Sequence, residues 1–138
     1  MANVLYDKAR EDFLGGSLDW LNNDVRAALI DTGNYTFSAA HLAFDTTTVP
    51  TAARIATMAA GLTSKTATAG VANAANVTFS AVTGASIEAI IIYKFTGTPA
   101  NDRLIAYIDS ATSGLPITPN GGDLTIAWST GTSKIFKL

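Results

Sequence analysis

The sequence predicts a mainly β protein, an antiparallel β-sandwich or jelly-roll-like domain with a short N-terminal helix. Three observations favour this fold class. From Gly16 onward, short apolar runs alternate with turns rich in Gly, Asn and Pro, which is typical of sandwiches and barrels. Residues 87–95 give the strongest strand signal, because Ile, Tyr and Phe occupy both alternating sides. A length of 138 residues fits one domain, which we expect to span 1–138.

The N-terminal segment 3–14 has the pattern of a short amphipathic helix. Three apolar residues recur at i, i+4 and i+8 on one stripe: Leu5, Ala9 and Phe13. Asn3 is a candidate N-cap, and the pair Gly15-Gly16 is expected to end the helix. Such a helix is marginal alone, so we expect it to pack against the β domain 16–138.

Further strands are predicted on both sides of the central signal. The segments with this strand pattern are DVRAALID, ARIATM, GLTSKTATAG, VANAANVTFSAV, LTIAWST and SKIFKL. Of these, ARIATM and GLTSKTATAG are expected to flank a turn at Ala60-Gly61. The stretch 35–50 has no clean period, and we predict one helical turn within it, capped by Ser38.

The segment 87–109 is predicted to form a hairpin in the middle of a sheet, with both faces covered. Both faces of its first strand are apolar at the centre, whereas an isolated antiparallel sheet usually keeps one face wet. One face is expected to meet a second sheet. The other could be covered by the helix, by a neighbouring subunit, or by the stretch 35–50. We take the neighbouring subunit as the hypothesis, with five candidate interface residues: Val4, Leu5, Ile90, Ile92 and Tyr107.

Composition excludes several function classes. Only 14% of residues are charged and 48% are apolar, so uncharged groups must form much of the surface. The net charge of −2 lacks the basic excess that nucleic-acid binding needs. The longest apolar run, 89–93, is too short to cross a membrane, and the charged N-terminus does not resemble a secretion signal. We therefore expect no nucleic-acid or membrane partner, and synthesis in the cytoplasm.

No motif predicts catalysis, a cofactor or a metal. Asp45 could orient the His41 imidazole so that it acts as a catalytic base, but a local hydrogen bond between the two side chains explains the pair as well. The acidic stretch 19–24 and the PNGGD stretch 119–123 offer oxygen ligands, yet a turn explains both, and the acidic stretch lacks the spacing and central Gly of a calcium loop. Three aromatic residues could stack on sugars or belong to the core: Trp20, Tyr35 and Trp128. We predict no catalytic, cofactor-binding or metal-binding residue, and hence a protein that is not an enzyme.

Several segments together resemble a known family. The opening MANVLYDKAREDFL, the strands VRAALIDT and EAIIIYK, the stretch LIAYIDSATSGLPITPNGGDLTIAW and the close KIFKL are similar to small virion structural proteins of tailed bacteriophages. The similarity runs from one end of the chain to the other. It lies in strands and turns, so it carries over no ligand or active-site residue.

The resemblance implies a role in the virion. The expected function is capsid decoration or cement, in which a small β domain stabilises the shell by bridging major capsid protein subunits. The implied partners are the major capsid protein and further copies of the chain, as a trimer or a dimer, on the capsid surface. The alternative is a tail, neck or fibre-attachment component that binds a receptor or carbohydrate.

Overall fold

The computed structural model describes residues 3–109 and 115–138, so the predicted domain 1–138 includes two stretches outside the description, 1–2 and 110–114. Strands account for 30% of the described residues and helices for 14%, which confirms the mainly β class. The helical residues belong to α1 (Asp7–Gly15) and to three short 3-10 helices, Thr51–Ala53, Thr68–Gly70 and Pro99–Asn101. The strands are β1 (Val4–Leu5), β2 (Val25–Ile30), β3 (Arg54–Thr57), β4 (Val71–Ala72), β5 (Val77–Phe79), β6 (Ala89–Lys94), β7 (Leu104–Ile108), β8 (Leu124–Ile126) and β9 (Phe136–Lys137).

A five-stranded antiparallel sheet forms the centre of the fold. Its strand order is β1-β7-β6-β2-β3, so β6 is the middle strand and β6–β7 is the predicted hairpin. All five residues of β7 are buried, as are the first five of the six residues of β6. The prediction of a central hairpin covered on both faces is confirmed for these strands.

Strand register separates the sheet into two faces. Ile91 of β6 lies opposite Tyr107 of β7, and Val4 of β1 lies opposite Tyr107 on its other side. Ile90 and Ile92 point the other way, because side chains alternate along a strand. The prediction that Tyr107 shares a face with Ile90 and Ile92 is therefore wrong. We call the Tyr107 side the lid face and the Ile90 side the ladder face.

The N-terminal segment begins as a strand and becomes a helix only at Asp7. Val4 and Leu5 pair with β7 and complete the edge of the sheet, which places the start of α1 four residues later than predicted. Asn3 is not an N-cap, because its Oδ1 accepts a hydrogen bond from the Asp109 amide at 3.1 Å. The predicted stop is confirmed, since Gly16 adopts a φ of 82° and its N–H bonds to the Phe13 carbonyl.

Two other local predictions are wrong. The stretch 61–70 is not a strand: it makes a bridge at Thr66, then turns at Ala69 and Gly70, whose φ angles are 56° and 77°. Positive φ at two successive residues cannot continue an extended strand. Around Ser38 the chain makes a turn rather than a helix, with the Ser38 carbonyl accepting the His41 N–H.

The ladder face is covered by a second layer. Two short antiparallel ladders, β4–β9 and β5–β8, form this ladder layer. Phe136 of β9 contacts Phe13 of α1 and Trp20, with ring centroids 5.9 and 5.2 Å apart. The result is a sandwich-like arrangement of sheet, ladders and helix. Among the described residues, α1 is the one α-helix, and it is too short to cross a membrane.

A buried charge in β6 should destabilise this arrangement. Ile91 is fully buried at the centre of the sheet, so Ile91→Asp should lower the free energy of unfolding by at least about 3 kcal/mol. Chemical denaturation measures this. Thr63→Asp, at an exposed position, is the matched control and should change stability by less than about 0.5 kcal/mol. An unchanged unfolding midpoint for Ile91→Asp would contradict the buried placement.

Candidate functional site

The five predicted interface residues do not form one surface patch. Leu5, Ile90, Ile92 and Tyr107 have exposed fractions of 7%, 4%, 0% and 4%, and Val4 is half-buried. Their side chains are divided between the lid face and the ladder face. The chain itself covers them, so they are not available to a neighbouring subunit in this conformation. This corrects the hypothesis that another copy seals them.

The cover of the lid face is the stretch 35–50, which we call the lid. Phe37 stacks on Tyr107 with ring centroids 4.7 Å apart and also contacts Tyr6 at 5.3 Å. Tyr35 contacts Tyr107 as well, at 6.2 Å. Offset aromatic pairs of this kind stabilise beyond the area they bury. The lid therefore covers β7, which was one of the three alternatives that the sequence left open for this face.

A second aromatic contact fixes the other half of the lid. Phe44 stacks on Tyr93 of β6 with centroids 4.0 Å apart and nearly parallel rings. Arg54 lies on Phe44, its guanidinium carbon 4.1 Å from the ring centroid, and donates hydrogen bonds to the carbonyls of Val49 and Phe44. Burial lowers the pKa of Arg54, which nonetheless stays a cation at neutral pH. One arginine thus ties both ends of the second lid half to β3.

A chain of polar groups runs through the first half of the lid. The Tyr6 and Tyr35 hydroxyl oxygens are 2.9 Å apart, and the Tyr35 hydroxyl is 2.9 Å from His41 Nδ1. Within the described residues the His41 ring bonds to Tyr35 and not to Asp45, whose Oδ1 instead accepts the Thr48 N–H at 2.7 Å. The predicted His41–Asp45 pair is therefore replaced by a tyrosine–histidine chain, which sequence reasoning missed because Tyr6 is distant in the sequence.

Burial raises the pKa of all four tyrosines. Desolvation is the main cause for Tyr6, Tyr35 and Tyr93, and it raises the pKa of Tyr107 to about 12. These phenols are therefore neutral donors and acceptors across the physiological range. They serve to satisfy buried hydrogen bonds beneath the lid.

The acidic stretch 19–24 is a turn. Asp19 accepts hydrogen bonds from the Asn22 side-chain amide and from the Asn22 and Leu21 backbone N–H groups, which lowers its pKa, and Asp24 pairs with Arg26 at 2.9 Å. Over the described ranges 3–109 and 115–138, no group of three or more His, Cys, Asp or Glu side chains is arranged to hold a metal ion. The PNGGD stretch likewise closes a turn, with Asn120 accepting the Gly122 N–H.

The aromatic residues considered for sugar stacking are core residues. Trp20 and Trp128 are buried, and each donates its indole N–H to a carbonyl, of Asn73 and Ala75 respectively. Tyr35 belongs to the lid. Their rings are not presented to solvent, so they offer no stacking platform for a carbohydrate.

A cleft of about 710 Å³ separates the ladder face from part of the ladder layer. Its walls are mainly apolar, including Leu29, Ile90 and Ile108 from the sheet and Leu124 and Trp128 from the opposite side. Lys134 is the one charged residue among its described lining residues. The described lining residues include no Asp, Glu, His or Cys.

The ladder layer carries very little charge. Residues 66–87 contain no Asp, Glu, Lys or Arg, and 115–138 contain only Asp123, Lys134 and Lys137. Many of their Thr, Ser, Ala and Asn side chains are exposed. A groove of about 370 Å³ between 56–61 and 77–80 is lined entirely by uncharged residues. The uneven distribution of charged residues is visible in the sequence. The structure adds that the uncharged segments lie together in the ladder layer.

A scan against family models matched none of them, and a search of curated proteins found no similar sequence.

Removing the Phe44 ring should open the lid. Phe44→Ala deletes the stack on Tyr93 and the support for Arg54, and we expect a loss of about 3–5 kcal/mol in unfolding free energy. Leu42→Ala is the matched control, because Leu42 lies in the same segment but is 53% exposed, and it should cost less than about 1 kcal/mol. Equal effects of the two substitutions on chemical denaturation would contradict the lid assignment.

Alkaline pH should unfold the protein together with tyrosine ionisation. Because the folded-state pKa values lie above the ordinary value of 10.0, the stability contributed by the neutral phenols is complete below pH 10 and is lost as pH rises through about 12. Tyrosinate absorbance should therefore rise in the same step as loss of circular dichroism. Ionisation of one tyrosine near pH 10 in a folded protein would contradict this account.

Proposed function

We propose that this protein is a non-enzymatic virion structural protein of a tailed bacteriophage, a capsid decoration or cement protein bound to the major capsid protein. The observation that carries the proposal is the nearly uncharged ladder layer on a domain that closes its own sheet. The sequence resemblance to virion proteins implies the same role and is the second line of support for the proposal.

The uncharged layer is suited to permanent contact with other proteins. Burying an unpaired charge in an interface is costly, and interface cores are depleted of charged residues. Solvent-facing surfaces usually carry dispersed charge that opposes association. Most of the chain's charges lie outside the ladders, and several form ion pairs, among them Lys8 with Asp12 on α1 and Arg26 of β2 with Asp24. The ladder layer is therefore the proposed face for the capsid.

Exposed leucines support the same side of the molecule. Leu14, Leu21 and Leu138 are 92%, 50% and 60% exposed. Each lies within two residues of one member of the ring cluster formed by Phe13, Trp20 and Phe136. Large apolar side chains in water are typical of contact sites. They extend the proposed capsid face from the ladders to the end of α1.

A cement role follows from mass action rather than chemistry. A standard interface buries about 800 Å² on each partner, and the chain has 6899 Å² of accessible surface in total. Each bound copy lowers the free energy of the assembled shell by its binding free energy. Contact between copies, as a trimer or a dimer, would place the chain at threefold or twofold positions of the lattice. Synthesis in the host cytoplasm and location on the capsid surface belong to this proposal.

The proposal is tested by adding purified protein to shells that lack it. The unmodified chain should bind in hundreds of copies per particle, as a shell protein must and a tail component cannot. Thr68→Lys and Thr83→Lys place a charge on the ladder layer and should weaken binding roughly tenfold or more. Thr46→Lys, exposed on the lid, is the control and should bind normally. Absence of binding by the unmodified chain, or equal binding by all variants, would contradict the proposal.

A further inference from the structure

The chain of hydrogen bonds Tyr6–Tyr35–His41 can run in one direction only if every buried hydrogen is to be satisfied. Tyr6 is completely buried, and its hydroxyl has Tyr35 as its one hydrogen-bond partner within the described residues. Tyr6 must therefore donate to Tyr35, and Tyr35 must donate to His41 Nδ1. In this arrangement Nδ1 carries no proton.

Protonation of His41 removes the acceptor at the end of this chain. An imidazolium carries hydrogen on both ring nitrogens, so Nδ1 can only donate. If Nδ1 donates to the Tyr35 oxygen, the Tyr35 hydroxyl can donate to Tyr6, which leaves the fully buried Tyr6 hydrogen without an acceptor, or it can accept from both neighbours, which leaves its own hydrogen without one among these groups. In either arrangement one buried hydroxyl hydrogen loses its acceptor, which is among the more costly polar defects in a protein.

The other titratable groups around the chain do not offset this effect. Tyr107 on β7 packs against Tyr35 and remains neutral, since its pKa is raised to about 12. Asp45 on the lid stays an anion because hydrogen bonds from Thr48 lower its pKa, and its Oδ1 is engaged by the Thr48 amide.

Charges also approach from α1 and from the sheet. Asp7 of α1 adjoins the turn through its amide, which donates to the Ala39 carbonyl, while its side chain faces Arg10 at 3.6 Å. Besides burial, Asp109, directly after β7, and Glu88, directly before β6, raise the pKa of Tyr107 through their negative charge. None of these groups supplies an acceptor to the Tyr6 hydroxyl.

We propose that His41 is a pH-sensitive latch on the lid: when neutral it accepts the hydrogen-bond chain that ties 35–41 to Tyr6, and when protonated it breaks that chain. Opening this part of the lid exposes the aromatic side chains of the lid face, chiefly Phe37 and Tyr107. Mild acidity thereby converts a closed domain into one that presents apolar surface. The inference does not depend on the proposed capsid role.

The test uses the fact that the chain contains one histidine. Between about pH 7 and pH 5.5 histidine is the side chain expected to change charge. The melting temperature of the unmodified protein should fall by roughly 3–6 °C over this range. Hydrogen exchange, expressed as protection factors, should show a larger loss at the His41 and Asp7 amides, which bond to the Ser38 and Ala39 carbonyls of this part of the lid, than in β6.

Two variants separate the latch from a purely structural role. His41→Asn keeps an acceptor near the position of Nδ1 but cannot be protonated, so its stability should not change between these pH values. Tyr35→Phe breaks the link to Tyr6 and should be less stable at both pH values, again with no pH dependence. The proposal is overturned if the unmodified protein is insensitive to pH, if His41→Asn keeps its pH dependence, or if lid and β6 lose protection equally.

Discussion

The constraint on which the rest of the fold depends is that β6 is apolar on both of its faces. An Ile-rich strand open to water on either side would be an aggregation site, so two separate elements must cover it. The chain supplies both: the lid packs on the face of Ile91 and Tyr93, and the ladder layer lies over the face of Ile90 and Ile92. Within the antiparallel sheet β6 is hydrogen-bonded on both sides, to β2 and to β7.

The two covering elements meet this constraint by different means. The lid has little regular structure and is fixed by specific contacts, including the four aromatic ring contacts described above, a cation on a ring, and the Tyr6–Tyr35–His41 chain. The ladder layer uses four strands of two or three residues each and leaves an outer surface with few charges. One element is suited to opening in response to a proton, and the other is suited to contact with a further protein.

Much of the fold was predictable from local pattern, and the errors have identifiable causes. Periodicity located β6, β7 and the Gly16 helix stop, because those signals are contained in a few residues. Pairing between distant segments was not predictable: β1 with β7, and β4 with β9, depend on contacts far apart in sequence. The register of Tyr107 could not be fixed either, since an irregularity after Ile92 shifts the hairpin. The candidate interface was wrong because the lid covers part of it, and the irregular sequence of the lid has no periodic pattern from which this role could be predicted.

The account depends centrally on the claim that the chain covers its own central sheet. Sedimentation of the purified protein, combined with hydrogen exchange over residues 87–109, tests it most directly. We predict strong protection of β6 and β7 amides in a monomer, unchanged on dilution, because the lid and the ladder layer belong to the same chain. Rapid exchange in a monomer, with protection appearing only in an oligomer, would show that another copy provides the cover and would contradict the account.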